Sequence, residues 1–348
     1  MKIKVLKFGG TSVGSIEAIK RSADIIHDWS KKSKVIAVLS AMSGETDRLI
    51  NLTKSFSKNP NPIDFDNAIS SGENVSCALM SICLNNQKIK SKSLLSWQIP
   101  IITSSEHMKS RILSINKKFL YDELENFEVL LIPGFQGINN KGELTTLGRG
   151  GSDTSAVAVA AAMETECIIY TDVEGVFTTD PNIVPKAKKI NKISYEEMLE
   201  LASQGAKVLQ TRSVELAMRK NTKLSVRSSF KPKKIGTMIT DEKSVLENNT
   251  VSGITYSKDE AKITLSRVQD KPGVSSKIFG PLAKGNINVD MILQNISQDG
   301  KFANLSFTLP RLDLEKALKI LKKEKPRIGY KKIISSNNIS KISVVGVG

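Results

Sequence analysis

Two glycine pairs lie where a β-strand should give way to an α-helix. Gly9 and Gly10 occur in KFGGTSVGS (residues 7–15), and Gly150 and Gly151 occur in TTLGRGGSDTS (residues 145–155). Glycine lets the backbone approach a phosphate closely, and a helix N-terminus offers free N–H groups and a positive dipole end. We therefore predict two anion-binding loops in one domain.

Charged side chains flank both loops. Lys7 adds a full positive charge to the first loop, and Arg149 gives the second a planar fork that fits a carboxylate or a phosphate. The first loop is not a Walker A motif, because no Gly-Lys-Ser/Thr follows at the required spacing, and it lacks the Rossmann G-x-G-x-x-G order. A tight turn with a solvated lysine is the alternative interpretation of this loop.

Two further segments carry candidate polar groups. Glu73 begins an apolar-periodic helix in SSGENVS (residues 70–76), where it could simply stabilise the positive end of the helix dipole. The segment SAMSGET (residues 40–46) follows a predicted strand at its C-terminal end, which is where ligands bind in open α/β sheets. The hydroxyls of Ser40 and Thr46 are therefore candidate hydrogen-bonding groups.

The composition excludes several classes of protein. The 348 residues are enough for about two domains, and 51 basic against 35 acidic side chains give a net charge of +16. The 51 basic residues are 41 Lys and 10 Arg, the lysines are spread over all segments, and only five Tyr and two Trp accompany them. Nucleic-acid recognition favours Arg and aromatic platforms, so this pattern argues against a nucleic-acid or membrane-surface partner.

Cysteine and histidine offer no further chemistry. Cys77, Cys83 and Cys167 are too few and too irregularly spaced for a disulfide framework or a zinc site, so we predict no metal held by protein ligands. His27 falls in an amphipathic helix and His107 in a polar loop. Lysines interrupt the N-terminus and no apolar run approaches ~20 residues, so a cytoplasmic location is expected.

The elements that must position these residues alternate between strands and helices up to about residue 228. This rhythm predicts an α/β domain with a mostly parallel central sheet flanked by helices. Ser194 and Glu197 have the spacing of a capping box. The predicted strands are 3–8, 35–39, 128–132, 167–171 and 224–228, and the predicted helices are 15–29, one from 46, 67–84, 152–163, one from 194 and 206–219.

The pattern changes after residue 230. We predict a catalytic domain over 1–230, a linker over 231–250 and a second domain over 251–336. The second domain reads strand 261–268, helix 273–284, strand 287–293, strand 302–309, helix 313–323 and strand 329–335, which is the βαββαβ order of a ferredoxin-like unit. Residues 341–347 are predicted to begin a further strand without neighbours, within an incomplete unit over 337–348.

Seven segments resemble those of aspartate kinases and occur in the same order: KFGGTSVGS, VLSAMSGETD, SSGENVS, GFQG, LGRGGSDTSAVAVA, YTDVEGVFTTDP and ISYEEMLELASQGAKVL. The resemblance extends to about residue 310. DKPGVSSKIF and NVDMILQN resemble the first ACT regulatory unit of the monofunctional, feedback-inhibited members, and KISVVGVG resembles the first strand of their second ACT unit. It implies an amino acid kinase fold, an ACT domain and a truncated second ACT domain.

The resemblance implies phosphorylation of the β-carboxylate of L-aspartate by ATP with Mg²⁺, the first step toward lysine, threonine and methionine. A carboxylate with a pKa of about 4 is already ionised at neutral pH, so no general base is needed and catalysis is positioning plus charge neutralisation. Asp153 would orient Lys7. The implied catalytic residues are Lys7, Gly10 and Asp153, and the implied substrate-binding residues are Ser40, Thr46, Glu73 (ammonium), Arg149 (carboxylate), Gly150, Gly151 and Ser152.

The implied nucleotide site departs from the family pattern twice. Phe177 stands where many members have Tyr, and Asn182 stands where Arg is usual, which removes one hydroxyl and one cationic phosphate contact. Lys207 or Lys186 could compensate for the lost charge. The implied nucleotide-binding residues are Lys7, Phe8, Gly9, Gly10, Thr171, Asp172, Phe177, Asn182, Lys207 and Val208.

In the ACT unit, the resemblance implies an amino-acid effector, lysine or threonine or both, and a homodimer or larger homo-oligomer. A plain ferredoxin-like dimerisation sheet is the alternative. The implied effector-binding residues are Asp270, Gly273, Val274, Ser275, Gln294 and Asn295.

Other functions remain as alternatives. A glutamate, acetylglutamate or nucleotide monophosphate kinase would share the fold, but Glu73 and the ACT segment argue against it. A non-catalytic amino-acid-sensing subunit would have lost Lys7, Asp153 or Arg149, and all three are present.

Overall fold

The computed structural model describes residues 2–99, 101–206, 208–241, 251–297 and 301–346. The chain divides into two compact units, a first unit of Met1–Ile254 with Val344–Gly348 and a second unit of Thr255–Ser343. No helix in the described part of the chain is long and apolar enough to cross a membrane.

The first unit is built on an eight-stranded sheet with the order β10-β12-β11-β9-β1-β2-β6-β3 and a four-stranded sheet with the order β5-β4-β7-β8. In the larger sheet only the β11–β12 pair is antiparallel. The strands are β1 Ile3–Phe8, β2 Lys34–Leu39, β3 Ser91–Ser93, β4 Ile101–Thr103, β5 Ile112–Ile115, β6 Val129–Pro133, β7 Gln136–Ile138, β8 Leu144–Thr146, β9 Cys167–Thr171, β10 Lys192–Ser194, β11 Leu224–Ser228 and β12 Thr237–Thr240.

Helices cover both faces of the larger sheet, because its central strands are apolar runs whose alternate side chains point to opposite faces. Val5 and Val38 belong to one apolar cluster, whereas Leu6 and Leu39 belong to the other. The helices of the first unit are α1 Ile16–Ser30, α2 Glu45–Phe56, α3 Pro62–Ile69, α4 Ser71–Asn86, α5 Lys117–Asn126, α6 Gly151–Ala162, α7 Tyr195–Ser203 and α8 Thr211–Arg219.

Local signals place several helix ends where the sequence predicts them. The Ser15 side chain caps α1 by accepting from the Ala18 N–H at 3.2 Å. Ser194 and Glu197 form the predicted capping box of α7, since each side chain accepts a backbone N–H of the other. Strands β1, β9 and β11 have the predicted limits.

Two helix predictions are wrong in part. The single helix predicted over 67–84 is two helices that meet at Ser70. The Ser70 carbonyl accepts a hydrogen bond from the Gln136 side chain at 2.9 Å at this break. The helix predicted from 206 begins only at Thr211, because Gly205 ends the preceding turn with a φ of +116° and Gln210 is extended.

The linker predicted over 231–250 contains a strand of the first unit. Residues Thr237–Thr240 form β12, which pairs with β10 and β11, and the Ile239 side chain is fully buried. The division between the units lies at Ile254, later than the predicted boundary. Residues 242–250 of the predicted linker lie outside the described residues.

The second unit has the predicted βαββαβ order, and its sheet order is β14-β15-β13-β16. Its third predicted element starts late, since the strand predicted from 287 begins at Ile292. The elements are β13 Gly253–Gln269, α9 Val274–Lys284, β14 Ile292–Ile296, β15 Phe302–Pro310, α10 Leu314–Lys323, α11 Lys325–Ile328 and β16 Lys332–Val345.

The C-terminal run does not form a separate strand. Residues 341–345 continue β16, which neighbours β13 along the sheet, and the Ser252 N–H donates to the Val345 carbonyl at 2.8 Å. The prediction of a strand without neighbours is therefore wrong for residues 341–345, and Val347 lies outside the described residues.

Candidate active site

Lys7 and Asp153 form an ion pair at the C-terminal edge of the larger sheet. The Lys7 Nζ lies 2.7 Å from the Asp153 Oδ1, and both side chains are about one-tenth exposed. Lys7 is near the end of β1, and Asp153 is in the first turn of α6. The carboxylate therefore holds the ammonium group in one place at the site edge, and the carboxylate itself gains from the positive end of the helix dipole.

The first glycine pair leads from β1 into a short 3₁₀ turn, Gly10–Ser12. A side chain at Gly9 would meet the Lys7 Nζ at 3.3 Å, and one at Gly10 would meet the Ala41 carbonyl oxygen at 3.1 Å. The loop therefore leaves the Lys7 ammonium unshielded by any side chain at position 9. Phe8, which precedes this loop, stacks on Tyr170 with the ring centroids 5.0 Å apart.

Glu73 is buried beside the end of β2. Its side chain is in the first turn of α4, and its Oε1 accepts from the Ala41 N–H at 3.1 Å. Its Oε2 is buried and has no hydrogen-bond partner among the described residues. Burial raises the pKa of Glu73 to about 7. A buried carboxylate oxygen without a partner is costly, so this oxygen is suited to receive a cationic group of a ligand.

Glycine also allows the close packing around Glu73. A side chain at Gly72 would lie 2.8 Å from the Ala41 Cβ and 3.2 Å from the Glu45 Cγ. Thr46 is half-buried next to Glu45 in the first turn of α2, and the Ser40 N–H donates to the Phe8 carbonyl at 3.1 Å. The structure thus gathers the ends of β1 and β2 and the starts of α2 and α4.

The second glycine loop contains two residues in the left-handed region. Gly148 has a φ of +79° and Gly150 a φ of +68°, and a side chain at Gly150 would collide with the Gln210 side chain. Arg149 lies between these glycines, is exposed, and makes no hydrogen bond or ion pair with the described residues. Its guanidinium is therefore available to an anionic ligand.

Ser152 and Gly151 begin α6 at the end of β6. A side chain at Gly134 would lie 2.8 Å from the Ser152 Oγ, and one at Gly151 would lie 2.8 Å from the Phe135 ring. The Phe135 N–H donates to the Ser155 Oγ at 3.1 Å, which fastens α6 to this edge. The two glycine loops therefore lie along one edge of the sheet.

The predicted nucleotide residues are only partly gathered. Thr171 ends β9 and Asp172 follows it at the same edge, and the Thr171 hydroxyl donates to the Asp172 carboxylate at 2.9 Å. Phe177 forms a β-bridge with Lys189. Asn182 is exposed on the following loop, as is Lys186, whereas Val208 packs on the core, and Lys207 lies outside the described residues.

Sequence reasoning missed two residues that hold the second loop. Asp66 is fully buried and accepts from the Thr146 N–H at 3.0 Å, the Thr146 hydroxyl at 2.6 Å and the Met108 N–H at 3.1 Å. His107, which the sequence leaves in a polar loop, lies 2.8 Å from Asp66 through its Nδ1. The other missed residue is Arg212, which donates to two backbone carbonyls.

The predicted effector residues lie in the second unit. The Gln294 side-chain amide donates to the Asp270 carboxylate at 3.1 Å, which brings two of them together. Gly273 caps α9 with a φ of +86°, followed by Val274 and Ser275 in the first turn. Asn295 is opposite Asn304 in the β14–β15 pair.

The described residues contain no group of three or more His, Cys, Asp or Glu side chains that could hold a metal ion. Cys77 and Cys167 are buried free thiols, and burial raises the pKa of both well above its usual range.

Comparison with known proteins gives two family matches. The amino acid kinase family matches residues 2–228, and the ACT domain matches residues 263–326. Among curated proteins, an aspartate kinase of Pseudomonas putida is 46% identical over 351 residues, covering 100% of this chain and 85% of that protein. An aspartokinase of Helicobacter pylori is 47% identical, covering 99% and 85%.

Solved structures agree in fold. The aspartate kinase from Synechocystis has a TM-score of 0.62 at 37% identity, covering 99% of this chain and 60% of that one. Aspartokinase III of E. coli, solved in complex with aspartate and ADP, has a TM-score of 0.77 at 24% identity, covering 99% and 88%. The second likeness concerns the fold alone.

Proposed function

The chain belongs to the amino acid kinase family as one of its aspartate kinases, and from that premise we propose how its own residues carry the reaction. It transfers the γ-phosphoryl group of ATP to the β-carboxylate of L-aspartate, giving 4-phospho-L-aspartate. A carboxylate oxygen attacks the γ-phosphorus, the bond to the bridging oxygen breaks, and ADP leaves with that electron pair. No proton needs to be removed from the nucleophile.

Lys7 neutralises the transferring phosphoryl group, and Asp153 keeps its ammonium group in place. The ion pair at 2.7 Å and the absence of a side chain at Gly9, next to the Lys7 ammonium, support these roles. Negative charge spreads over the phosphoryl oxygens in the transition state, so a cation held in advance lowers the barrier without a cost of reorganisation. The backbone of Gly9 and Gly10 lines the same anion-binding loop.

Glu73 and Arg149 recognise the two ends of the amino-acid substrate. The buried Glu73 Oε2, which has no partner among the described residues, receives the ammonium group, and the exposed Arg149 guanidinium receives a carboxylate. Ser40, Thr46, Ser152 and the backbone of Gly150 and Gly151 add hydrogen bonds. The observation that carries the proposal is that, among the described residues, the buried Glu73 Oε2 has no donor and the Arg149 guanidinium has no acceptor, and that both belong to segments at one edge of the sheet.

Mg²⁺ would come with the nucleotide and would neutralise part of the phosphate charge. Mg²⁺ usually keeps several waters and binds through phosphates and one or two carboxylates, so a dedicated protein cage is not required. Phe8 and the first loop lie at the phosphate end. The nucleoside is held by residues that follow β9 and by the segment before α8: Thr171, Asp172, Phe177, Asn182, Lys207 and Val208.

The second unit binds an amino-acid effector, lysine or threonine, through the contact between Gln294 and Asp270 and the nearby start of α9. Gly273, Val274, Ser275 and Asn295 complete this site. Association into a homo-oligomer occurs through the edge strand β14, whose residues Ile292, Leu293 and Ile296 are about half exposed although apolar. Unpaired apolar strand edges favour pairing with a second copy.

Acyl-phosphate trapping with hydroxylamine tests the proposal, with aspartate and glutamate compared side by side in MgATP. We expect hydroxamate from aspartate only, and we expect lysine or threonine to inhibit its formation. Arg149→Ala should need a higher aspartate concentration than wild type to form the same amount of hydroxamate. Equal rates with glutamate, or unaltered aspartate affinity in both Arg149→Ala and Glu73→Ala, would contradict the assignment of these residues.

A further inference from the structure

Arg212 occupies a position where a cation is electrostatically disfavoured. It is the second residue of α8, and the N-terminus of a helix carries partial positive charge. The side chain is partly buried and forms no ion pair with a carboxylate of the described residues. A partly buried cation at this end of a helix needs another source of stabilisation.

The guanidinium finds it in two backbone carbonyls. The Arg212 Nη1 donates to the Leu147 carbonyl at 2.6 Å, and its Nη2 donates to the Ser110 carbonyl at 3.0 Å. Ser110 is fully buried, and both its N–H and its hydroxyl donate to the Thr146 carbonyl, at 3.0 and 2.9 Å. Arg212 thus closes a network that joins the segment around Ser110 to the start of the second glycine loop.

That loop needs an external anchor. Arg149 lies between Gly148 and Gly150, both with positive φ, and glycine offers little conformational resistance to rotation. Upstream the loop is anchored at Leu147, whose carbonyl Arg212 holds. Downstream the Gln210 side chain fills the space that a side chain at Gly150 would need. Gln210 and Arg212, two positions apart at the start of α8, therefore contact both ends of the segment that presents Arg149.

We propose that Arg212 is a positioning residue of the kinase, which holds the Arg149 loop in the geometry that receives the substrate carboxylate. This rests on the proposed substrate-binding role of Arg149. Arg212 does not touch the substrate in this proposal. It acts through the Leu147 and Ser110 carbonyls, and a planar fork with two separated donors suits that task better than the single ammonium group of lysine.

The test measures kcat and the KM values for aspartate and ATP in Arg212→Met and Arg212→Lys. Losing hydrogen bonds from a charged donor should raise the KM for aspartate about ten- to a hundredfold in Arg212→Met. Arg212→Lys, which keeps one donor and the charge, should show a smaller rise, and the KM for ATP should change less than twofold. Arg219→Met is the matched control, because Arg219 is exposed on the same helix and, among the described residues, pairs with Glu215 alone, at 2.6 Å.

A double-mutant cycle separates positioning from a general loss of structure. If Arg212 acts through Arg149, adding Arg212→Met to Arg149→Ala should leave the KM for aspartate within about twofold of Arg149→Ala alone. Independent, multiplicative effects would overturn the proposal, as would equal rises in both KM values or an aspartate KM unchanged in Arg212→Met.

The cycle also distinguishes failure of the proposed substrate site. An unchanged aspartate KM in Arg149→Ala would show that Arg149 does not bind the substrate carboxylate, and Arg212 could then not act through it. Thermal unfolding of each variant shows whether it is folded, and Arg212→Lys, which keeps the charge and one donor, keeps the test decisive if Arg212→Met fails to fold.

Discussion

At the scale of single residues, the charge of Lys7 is the feature most directly tied to rate. We expect Lys7→Ala to lower kcat by roughly 10²- to 10³-fold while the KM for aspartate changes much less, because the ammonium acts mainly on charge that develops in the transition state. Steady-state kinetics in saturating MgATP measure this effect.

Lys4→Ala provides the control for Lys7. Lys4 is on the same strand and also forms an ion pair, with Glu166 at 2.6 Å, but neither residue belongs to the proposed active site. Its removal should leave kcat within about twofold. A Lys7→Ala variant with near wild-type kcat, in protein that unfolds at the wild-type temperature, would contradict the role of Lys7.

Glu73 makes the stability of the ligand-free protein depend on pH. Because burial raises its pKa to about 7 from an ordinary 4.5, the folded state holds this proton more tightly than the unfolded chain does. The stabilisation is complete below the ordinary pKa and is lost as pH rises through about 7, about 3 kcal/mol in total. Urea unfolding at pH 5 and pH 8 should show this loss in wild type and not in Glu73→Gln, with exposed Glu17→Gln behaving as wild type.

The same proton should govern aspartate binding. An ammonium group binds the ionised carboxylate, so the KM for aspartate should fall as pH rises toward about 7 and level off above it. In Glu73→Gln the KM should be high and nearly independent of pH between 6 and 8. A wild-type KM that is constant over this range would show that Glu73 does not receive the ammonium group.

At the residue scale, the sequence pointed to candidate residues where a motif is local and missed residues whose partner is distant. Lys7, Glu73 and Asp153 lie in segments whose sequence indicates the end of a strand or the start of a helix. Asp66 gives no such signal, since its bond to Thr146 spans 80 positions of sequence, and the bond from Arg212 to Leu147 spans 65. The assigned roles of all these residues stay predictions until they are tested.

At the scale of elements, the capping box of α7 makes a measurable contribution to stability. Ser194→Ala removes the side chain that accepts the Glu197 N–H at 3.1 Å, and we expect it to cost about 1 kcal/mol of stability. The box lies away from the ion pair of Lys7, so kcat should change little. Urea unfolding and kinetics of the same preparation measure both quantities.

Ser203→Ala is the comparison for that variant. Ser203 ends the same helix and is exposed, and its hydroxyl donates to the Glu200 carbonyl and to no other group of the described residues. It should change stability by less than about 0.5 kcal/mol. Equal losses in the two variants would mean that the capping contacts do not stabilise α7 more than an ordinary surface hydroxyl does.

The elements show the same division between local and distant signals. The capping box was predictable because its partners are three residues apart. The break at Ser70 was not, because the side chain that takes its carbonyl comes from Gln136, 66 positions later. Strand β12 was missed because polar and glycine residues surround its four residues, and only pairing with β10 and β11 reveals it.

At the scale of the whole molecule, two domains were predictable from length and from the change of pattern after residue 230, but their limits were not. The division falls inside continuous strands, β13 at one crossing and β16 at the other. Composition marks where regular patterning stops. It carries no information on where a strand passes from one compact unit to the next.

The bond between Ser252 and Val345 makes the second unit a long loop whose two ends are tied within the first. For a chain of the length of Thr255–Ser343, closing such a loop costs about 4 kcal/mol of conformational entropy when the loop is unfolded. When the second unit is folded, pairing of β13 with β16 already holds the ends together. The first unit is therefore more stable when the second unit is folded, because the loop-closure entropy no longer opposes the bond between Ser252 and Val345.

Leu305→Ala should expose the effect. Leu305 is buried in the core of the second unit, so its truncation should destabilise that unit by about 3 kcal/mol and unfold it earlier in urea. Both tryptophans, Trp29 and Trp97, belong to the first unit, so their fluorescence reports its unfolding alone. We expect their transition to move to lower urea, whereas in Leu312→Ala, at a 90% exposed position, it should not.

Because the two segments that flank the second unit are bonded to each other, the folded second unit stabilises the first unit. A small molecule that binds only the folded second unit raises that unit's stability by mass action, and the closed loop passes part of the gain to the first unit through covalent connectivity. The transmitted part is limited by the closure entropy, whatever the affinity of the molecule. A ligand of the second unit would therefore protect Trp29 and Trp97 from urea unfolding up to this ceiling and no further.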